Sequence, residues 1–224
     1  MKVRREFLLP GTAVFFIGLI SFFITKSFIP LVILSILFIF LLNFFRDPER
    51  EPETNSDKDL ISPADGKVIL KDEVEVKGDL LELIPEFEGK KMKRIAIFMS
   101  PLDVHVNRAP ISGYIQKILR KSGGFARAFL EKSENNSRVL WHIRTEDGKD
   151  VILSQIAGAI ARRISVFKKE GDFIRRGERI GIIYLGSRVD IYIPYEWEFS
   201  VQVGDKVFAG KTKIGYINSE PKLN

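Results

Sequence analysis

The sequence is 224 residues long and 45% hydrophobic, with 35 Lys and Arg against 29 Asp and Glu, a formal charge of +6 and no cysteine. The lack of cysteine excludes disulfides, thiolate nucleophiles and Cys-ligated zinc or iron–sulfur sites, and two histidines, His105 and His142, are too few for a histidine-rich metal site, so no metal is expected. The basic balance suits an anionic membrane surface or an acidic substrate; no RNP-type, helix-turn-helix or zinc-finger pattern points to nucleic acid.

Between Phe7 and Phe45 the only charged residue is Lys26. With Pro30 just beyond, it divides this stretch into two apolar halves, Leu8–Thr25 and Phe28–Phe45. As helices at ~1.5 Å per residue, each spans about 27 Å, close to the ~30 Å hydrocarbon core of a bilayer. Lys2, Arg4 and Arg5 precede the first half, and Arg46 and Arg50 follow the second. Positive charge at both outer ends favours a membrane hairpin over residues 1–45 with both ends in the cytoplasm. A polar, proline-bearing linker over 46–59 then leads to one domain, 60–224, facing the cytoplasm from the cell membrane.

The apolar runs of that domain are short and rich in β-branched or aromatic residues: Lys67–Leu70, Arg94–Met99, Val139–Ile143, Val151–Gln155, Arg179–Leu185, Val189–Ile193 and Phe199–Val203. Punctuated by turn residues, they predict a mainly β domain, a compact sandwich or barrel-like unit. Phe125–Lys132 is the clearest helix candidate there and Leu80–Phe87 a weaker one. An internal echo runs between Gly171–Gly181 and Gly204–Gly215: a Gly-Asp turn, a β residue, a second glycine turn, then another strand. Such hairpin units resemble those of lipoyl and biotinyl carrier domains, although no lysine occupies a carrier-type tip.

The dipeptide Gly186-Ser187, between two β-type segments, carries the most chemical information. Gly-Ser is a common turn pair, but a serine so placed is also a candidate for self-cleavage. Attack of its hydroxyl on the preceding carbonyl converts the amide to an ester. Elimination across the serine Cα–Cβ bond then leaves dehydroalanine, which becomes a pyruvoyl group on loss of ammonia, a ketone able to serve as a built-in cofactor.

Four segments carry a family resemblance: Phe44-Phe-Arg-Asp-Pro-Glu-Arg50, Ser62-Pro-Ala-Asp-Gly-Lys-Val68, the run Phe98–Pro110 with Asp103-Val-His105, and Gly177–Asp190 with Leu-Gly-Ser. Their order and spacing resemble the short form of the phosphatidylserine decarboxylase family over about Phe44 to Gly215. The resemblance implies a proenzyme that cleaves itself before the serine. The products would be a membrane-associated β chain, Met1–Gly186, and a pyruvoyl-bearing α chain, Ser187–Asn224, which stay together. It also implies decarboxylation of a serine phospholipid, phosphatidylserine or its archaeal ether analogue, through a Schiff base. The alternative is a membrane-tethered carrier-like adaptor without catalysis.

Ser187 would be the internal nucleophile, and needs a base. His105 is the candidate base, because its unperturbed pKa lies near neutrality. Asp65, of the Asp-Gly motif, could orient it, and Asp103 is a second carboxylate candidate. Longer-form relatives have a second histidine three residues after the first; Arg108 stands there in this chain. Arg108, Arg162, Arg163 and Arg188 are candidates for the phosphate and carboxylate of the head group. His142, beside Trp141 on a predicted strand, reads as structural.

Overall fold

The structure, a computed structural model, describes residues 2–124, 136–158, 163–184 and 187–216. It divides into two compact units, one ending at Glu49 and one beginning at Arg50.

In the first unit, α1 (Leu8–Thr25) and α2 (Ile29–Phe44) pack together. Lys26 ends α1 in the left-handed conformation, its amide on the Phe22 carbonyl, and Pro30 opens α2 within its first turn, where a missing N–H costs nothing. The contacts Phe7–Phe38, Gly18–Leu34 and Phe22–Phe28 run in opposite chain directions, so the pair is a hairpin. Its outer faces are apolar: Leu9, Ile24, Ile29 and Ile36 are all well exposed. The stretch Arg5–Thr25, 21 residues, is long and apolar enough to cross a membrane, whereas α2 is shorter. Beyond α2, β1 (Lys2–Val3) pairs with β2 (Arg46–Asp47).

The second unit is mainly β. Its principal sheet contains β4 (Gly66–Glu75), β5 (Lys91–Met99), β7 (Gly113–Lys121), β8 (Arg138–Arg144), β9 (Asp150–Ile156), β11 (Phe173–Ile174), β13 (Ser187–Pro194) and β15 (Lys206–Val207), ordered 11-7-8-9-13-5-4-15. Two three-stranded sheets accompany it. One orders β10 (Ile164–Val166), β12 (Arg179–Ile183) and β6 (Val106–Arg108); the other orders β14 (Glu198–Phe199), β16 (Lys213–Tyr216) and β3 (Asp59–Ile61). Ile95, Ile97, Trp141, Leu153, Val189 and Ile191 build the main core from alternate positions of the strands, joined by Trp197 from the turn after β13. On the other face, α3 (Asp79–Leu83) and the turn Pro85–Phe87, the site of the weaker predicted helix, supply Leu80, Leu83 and Ile84 to a second cluster with Leu140, Ile152 and Tyr192.

The principal sheet reads alike from either end, the two three-stranded sheets correspond to each other strand by strand, and the hydrogen bonds repeat accordingly. Gly171 and Asp172 clasp Ile115 through main-chain bonds, as Gly204 and Asp205 clasp Val68. The Gly177 amide donates to Ala109 and the Gly210 amide to Ser62; Ile61 donates to Pro110 and Arg108 to Pro63. The bulge at Val68/Leu70 between β4 and β5 matches that at Ile115/Lys117 between β7 and β8. A Cβ on Gly66 would strike the Phe98 carbonyl, and one on Gly113 would lie 2.5 Å from the Arg144 carbonyl. The echo between Gly171–Gly181 and Gly204–Gly215 is thus one part of an approximate twofold repeat over the whole domain. The symmetry breaks at one place. A tight turn, Thr145–Lys149, joins β8 to β9, whereas the corresponding β5 and β13 are separated by residues 100–186.

Several strands differ from expectation. β7 was not expected, because Lys117, Arg120 and Lys121 interrupt its Ile and Leu on a half-exposed strand beside the short edge strand β11. Phe199–Val203 is strand only at its start, the rest turning toward Gly204. The predicted helix at Phe125–Lys132 lies outside the described residues.

Candidate active site

Ser187 opens β13 opposite Met99, the last residue of β5. From Met99 the chain turns through Ser100–Asp103, where Asp103 Oδ2 accepts hydrogen bonds from the Ser100 amide and hydroxyl at 2.8 and 2.7 Å. His105 follows and leads into β6, whose Val106 pairs with Ile182 of β12; the Ile183 amide donates to the His105 carbonyl at 3.3 Å. The segment 100–105 therefore leads from β5 to β6, the strands that pair with the start of β13 and the end of β12. That topology, and not proximity in sequence, places His105 beside the approach to Ser187.

Both residues are fully buried. The His105 Nδ1 lies 2.9 Å from the Asp103 carbonyl oxygen. A carbonyl only accepts, so Nδ1 carries the proton and, in the neutral ring, Nε2 holds the lone pair of a base. Ser187 shares the inward face of β13 with Val189, Ile191 and Ile193. Its Oγ is buried and has no hydrogen-bond partner among the described residues, an arrangement that calls for a reason in any native interior. Gly186 lies outside those residues, as does Arg162.

Asp65 is buried, but its carboxylate is engaged elsewhere. It takes a bidentate pair from Arg50, with Nη2 at 2.8 Å from Oδ2, and the Ala209 amide at 2.8 Å from Oδ1. The Asp65–imidazole hydrogen bond expected from the motif is therefore not formed; the Asp103 main chain orients Nδ1 instead. Under the twofold repeat Asp65 corresponds to Ser112, whose Oγ accepts the Arg176 amide at 3.0 Å as Asp65 accepts that of Ala209. Both cap the turn before a glycine; only Asp65 also holds an arginine.

The candidate arginines separate sharply. Arg188 points away from the Ser187 face and is buried against Asp190, with Nε and Nη2 at 2.6 and 2.7 Å from its oxygens. Arg108 is buried too, donating from Nη1 to the Gly177 carbonyl at 3.0 Å, with its aliphatic stem packed against Gly210. Arg163 is exposed, its guanidinium 5.3 Å from the centre of the Tyr184 ring, and the Tyr184 amide donates to its carbonyl. Of the candidates described, Arg163 alone offers its charge to solvent beside the segment that leads to Ser187.

His142 lies on β8 with Nε2 at 2.5 Å from Asp150 Oδ1, an oxygen that Arg144 Nε also reaches at 2.7 Å. Burial by itself would raise the Asp150 pKa, but the hydrogen bonds and charges of His142 and Arg144 outweigh it, and the net shift is downward. Among the described residues, no group of three His, Asp or Glu side chains is placed to hold a metal ion. Two inward polar residues escaped the sequence analysis, Asn107 and Gln155, both fully buried; Trp141 donates to the second. The available signal was a polar side chain at a core-facing strand position, as Gln155 is within Val151–Ile156.

A model of the phosphatidylserine decarboxylase family matches residues 37–215. A phosphatidylserine decarboxylase proenzyme of Streptomyces griseus is 48% identical over 174 residues, covering 78% of this chain and 73% of the relative. One of Syntrophus aciditrophicus is 42% identical over 196 residues, 87% of each chain. A Methanosarcina barkeri chain, provisionally named an archaetidylserine decarboxylase proenzyme, is 47% identical over 178 residues, 80% of this chain and 77% of the relative. By class, then, the protein is an enzyme, a carboxy-lyase. It belongs to the phosphatidylserine decarboxylase family.

Proposed function

We propose that this chain is a membrane-anchored proenzyme that cuts itself between Gly186 and Ser187 and then decarboxylates a serine phospholipid to the ethanolamine lipid. The observation that carries the reading is the Ser187 hydroxyl, buried without a partner among the described residues at the head of β13. His105 takes the Ser187 proton through Nε2 as the hydroxyl attacks the Gly186 carbonyl. The carbon–nitrogen bond breaks, leaving an ester and a free amine on residue 187. Loss of the Cα proton expels the Gly186 carboxylate, and addition of water with departure of ammonia leaves the pyruvoyl group. That group supplies a ketone that condenses with the head-group amine as a Schiff base and takes up the electron pair left by departing carbon dioxide. β13 lies between β5 and β9, so the new α chain stays bound to the β chain after cleavage.

Arg163 is the residue proposed to meet the lipid phosphate. Asp65, with Arg50, acts as a positioning residue: it secures the Ser62–Gly66 segment, whose Pro63 carbonyl holds β6 at Arg108 and so the His105 loop. The apolar hairpin keeps the enzyme at the bilayer that holds its substrate, with the catalytic unit in the cytoplasm. Relatives named for the ester and for the ether lipid share one head-group chemistry, and assays with both lipids separate the two substrates.

Intact mass of the purified full-length chain tests this reading. Fragments 1–186 and 187–224, the smaller with a carbonyl-bearing N-terminus, are expected together with carbon dioxide release from serine lipid in vesicles; Ser187→Ala abolishes both. A wild-type chain that stays whole and does not react with hydroxylamine would overturn it and leave the adaptor.

A further inference from the structure

We propose that Asn107 donates the hydrogen bond that stabilises the oxyanion formed when Ser187 attacks the preceding carbonyl, and that Gln155 and Trp141 are positioning residues that aim it. The proposal rests on the self-cleavage reading above and adds residues that the matched motifs do not assign.

The placement follows from register. Met99 pairs directly with Ser187, and both side chains face the core. Gln155 pairs with Val189, two residues along the same face, which makes it a diagonal neighbour of Ser187. Asn107 approaches from β6, with its Nδ2 at 3.5 Å from Met99 Sδ. Asn107 is also two residues from His105, so in extended chain the two share a face.

The direction of each amide follows from one fact: an indole nitrogen can only donate. Trp141 Nε1 donates to Gln155 Oε1 at 2.8 Å, which turns the Gln155 amino group toward Asn107. Gln155 Nε2 donates to Asn107 Oδ1 at 2.8 Å. The oxygen of Asn107 is thereby occupied, and its NH₂ is the end presented at Met99, beside the start of β13. A thioether is a weak acceptor, so a fully buried amide donor is held in place with little to bind. Gly181, the register partner of Asn107, admits this relay: a Cβ there would lie 2.9 Å from Gln155 Nε2 and 2.7 Å from the Ser165 carbonyl.

In the step served, the Oγ–C bond forms, the Oγ proton passes to His105, and the carbonyl oxygen gains the negative charge that Asn107 Nδ2–H stabilises. Collapse breaks the C–N bond, and the proton is returned from His105 to the Ser187 nitrogen. Nothing is gained or lost overall, since amide and ester are isomers.

Two variants of the full-length chain test the assignment. Asn107→Leu keeps the approximate volume and removes the donor; self-cleavage is expected to slow about 10²-fold, as on loss of one oxyanion donor. In Gln155→Glu the ionised carboxylate would accept from Trp141 and draw the Asn107 NH₂ to itself, turning the wrong end toward Met99. Protonated, the introduced carboxyl can still donate to Asn107. Cleavage by that variant should therefore fall as pH rises through the carboxyl titration, while wild type does not fall. Each substitution is repeated in a Ser187→Ala background, where thermal unfolding and near-ultraviolet tryptophan signals report folding. Asn107→Leu cleaving within threefold of wild type, or Gln155→Glu following the wild-type pH profile, overturns the proposal. A wild-type chain that never cleaves removes the underlying reading instead.

Discussion

Asp190 offers the sharpest test of how the domain holds the residue next to the proposed cleavage point. Its carboxylate is fully buried on the face of β13 opposite Ser187, where it receives two hydrogen bonds from Arg188, itself only 2% exposed. Arg94 Nη1 stands 3.8 Å away, while Nη2 of the same guanidinium pairs with Asp72 at 2.7 Å. Asp190→Ala removes the carboxylate that takes two hydrogen bonds from the buried Arg188 guanidinium and leaves that charge near a second cation. Breaking a buried pair from one side costs about 3–5 kcal/mol, because the remaining charge stays desolvated. In a domain of this size each kcal/mol lowers the melting temperature by about 2–4 °C, so a drop of roughly 6–20 °C is expected. The measurement is thermal unfolding in detergent by the fluorescence of Trp141 and Trp197, both in the core, with Ser187→Ala present so that every sample is one chain. The double variant Arg188→Met with Asp190→Leu removes both charges and should recover most of the loss. A fall below about 3 °C for Asp190→Ala, or a double variant as unstable as the single one, would refute the reasoning.

Two further outcomes follow from the site and its surroundings. Arg163→Ala should leave self-cleavage at its wild-type rate while raising KM for serine lipid in vesicles about tenfold, in line with the loss of one charge-assisted contact; an unchanged KM assigns the phosphate to another group. Asp150 has a folded pKa below its ordinary 3.8, so its contribution is complete above the unfolded value and is lost as pH falls through the folded one. The melting-temperature gap between wild type and Asp150→Asn should accordingly stay constant down to about pH 5 and narrow progressively as the pH falls further, whereas a gap that widens on acidification contradicts the shift.

Period and composition were enough for part of the molecule. An apolar run broken by one lysine and a proline sets the α1–α2 hairpin, because those features act within a turn or two of chain. Short β-branched runs between turn residues mark β5, β8, β9 and β13, since each is buried on at least one face. The Gly-Asp echo was visible in sequence, but its other half was not: Ser62–Val68 and Ala109–Ile115 share a backbone path while sharing few residues, and a repeat held by main-chain hydrogen bonds leaves little trace in side chains.

Sequence alone named Ser187, His105 and Asp65 as a group through motif and reactivity. Only the tertiary structure separated their surroundings. Alternation along β13 turns Arg188 from the serine, and the pairing of Asp65 with Arg50 keeps it from the imidazole. The closure of β6 against β12 brings Asn107 onto Met99, 88 positions before Ser187 in the chain and directly across from it in the sheet. Residue chemistry is local and can be read in order along the chain; which face a side chain takes, and what meets it there, depends on strands joined by long connections.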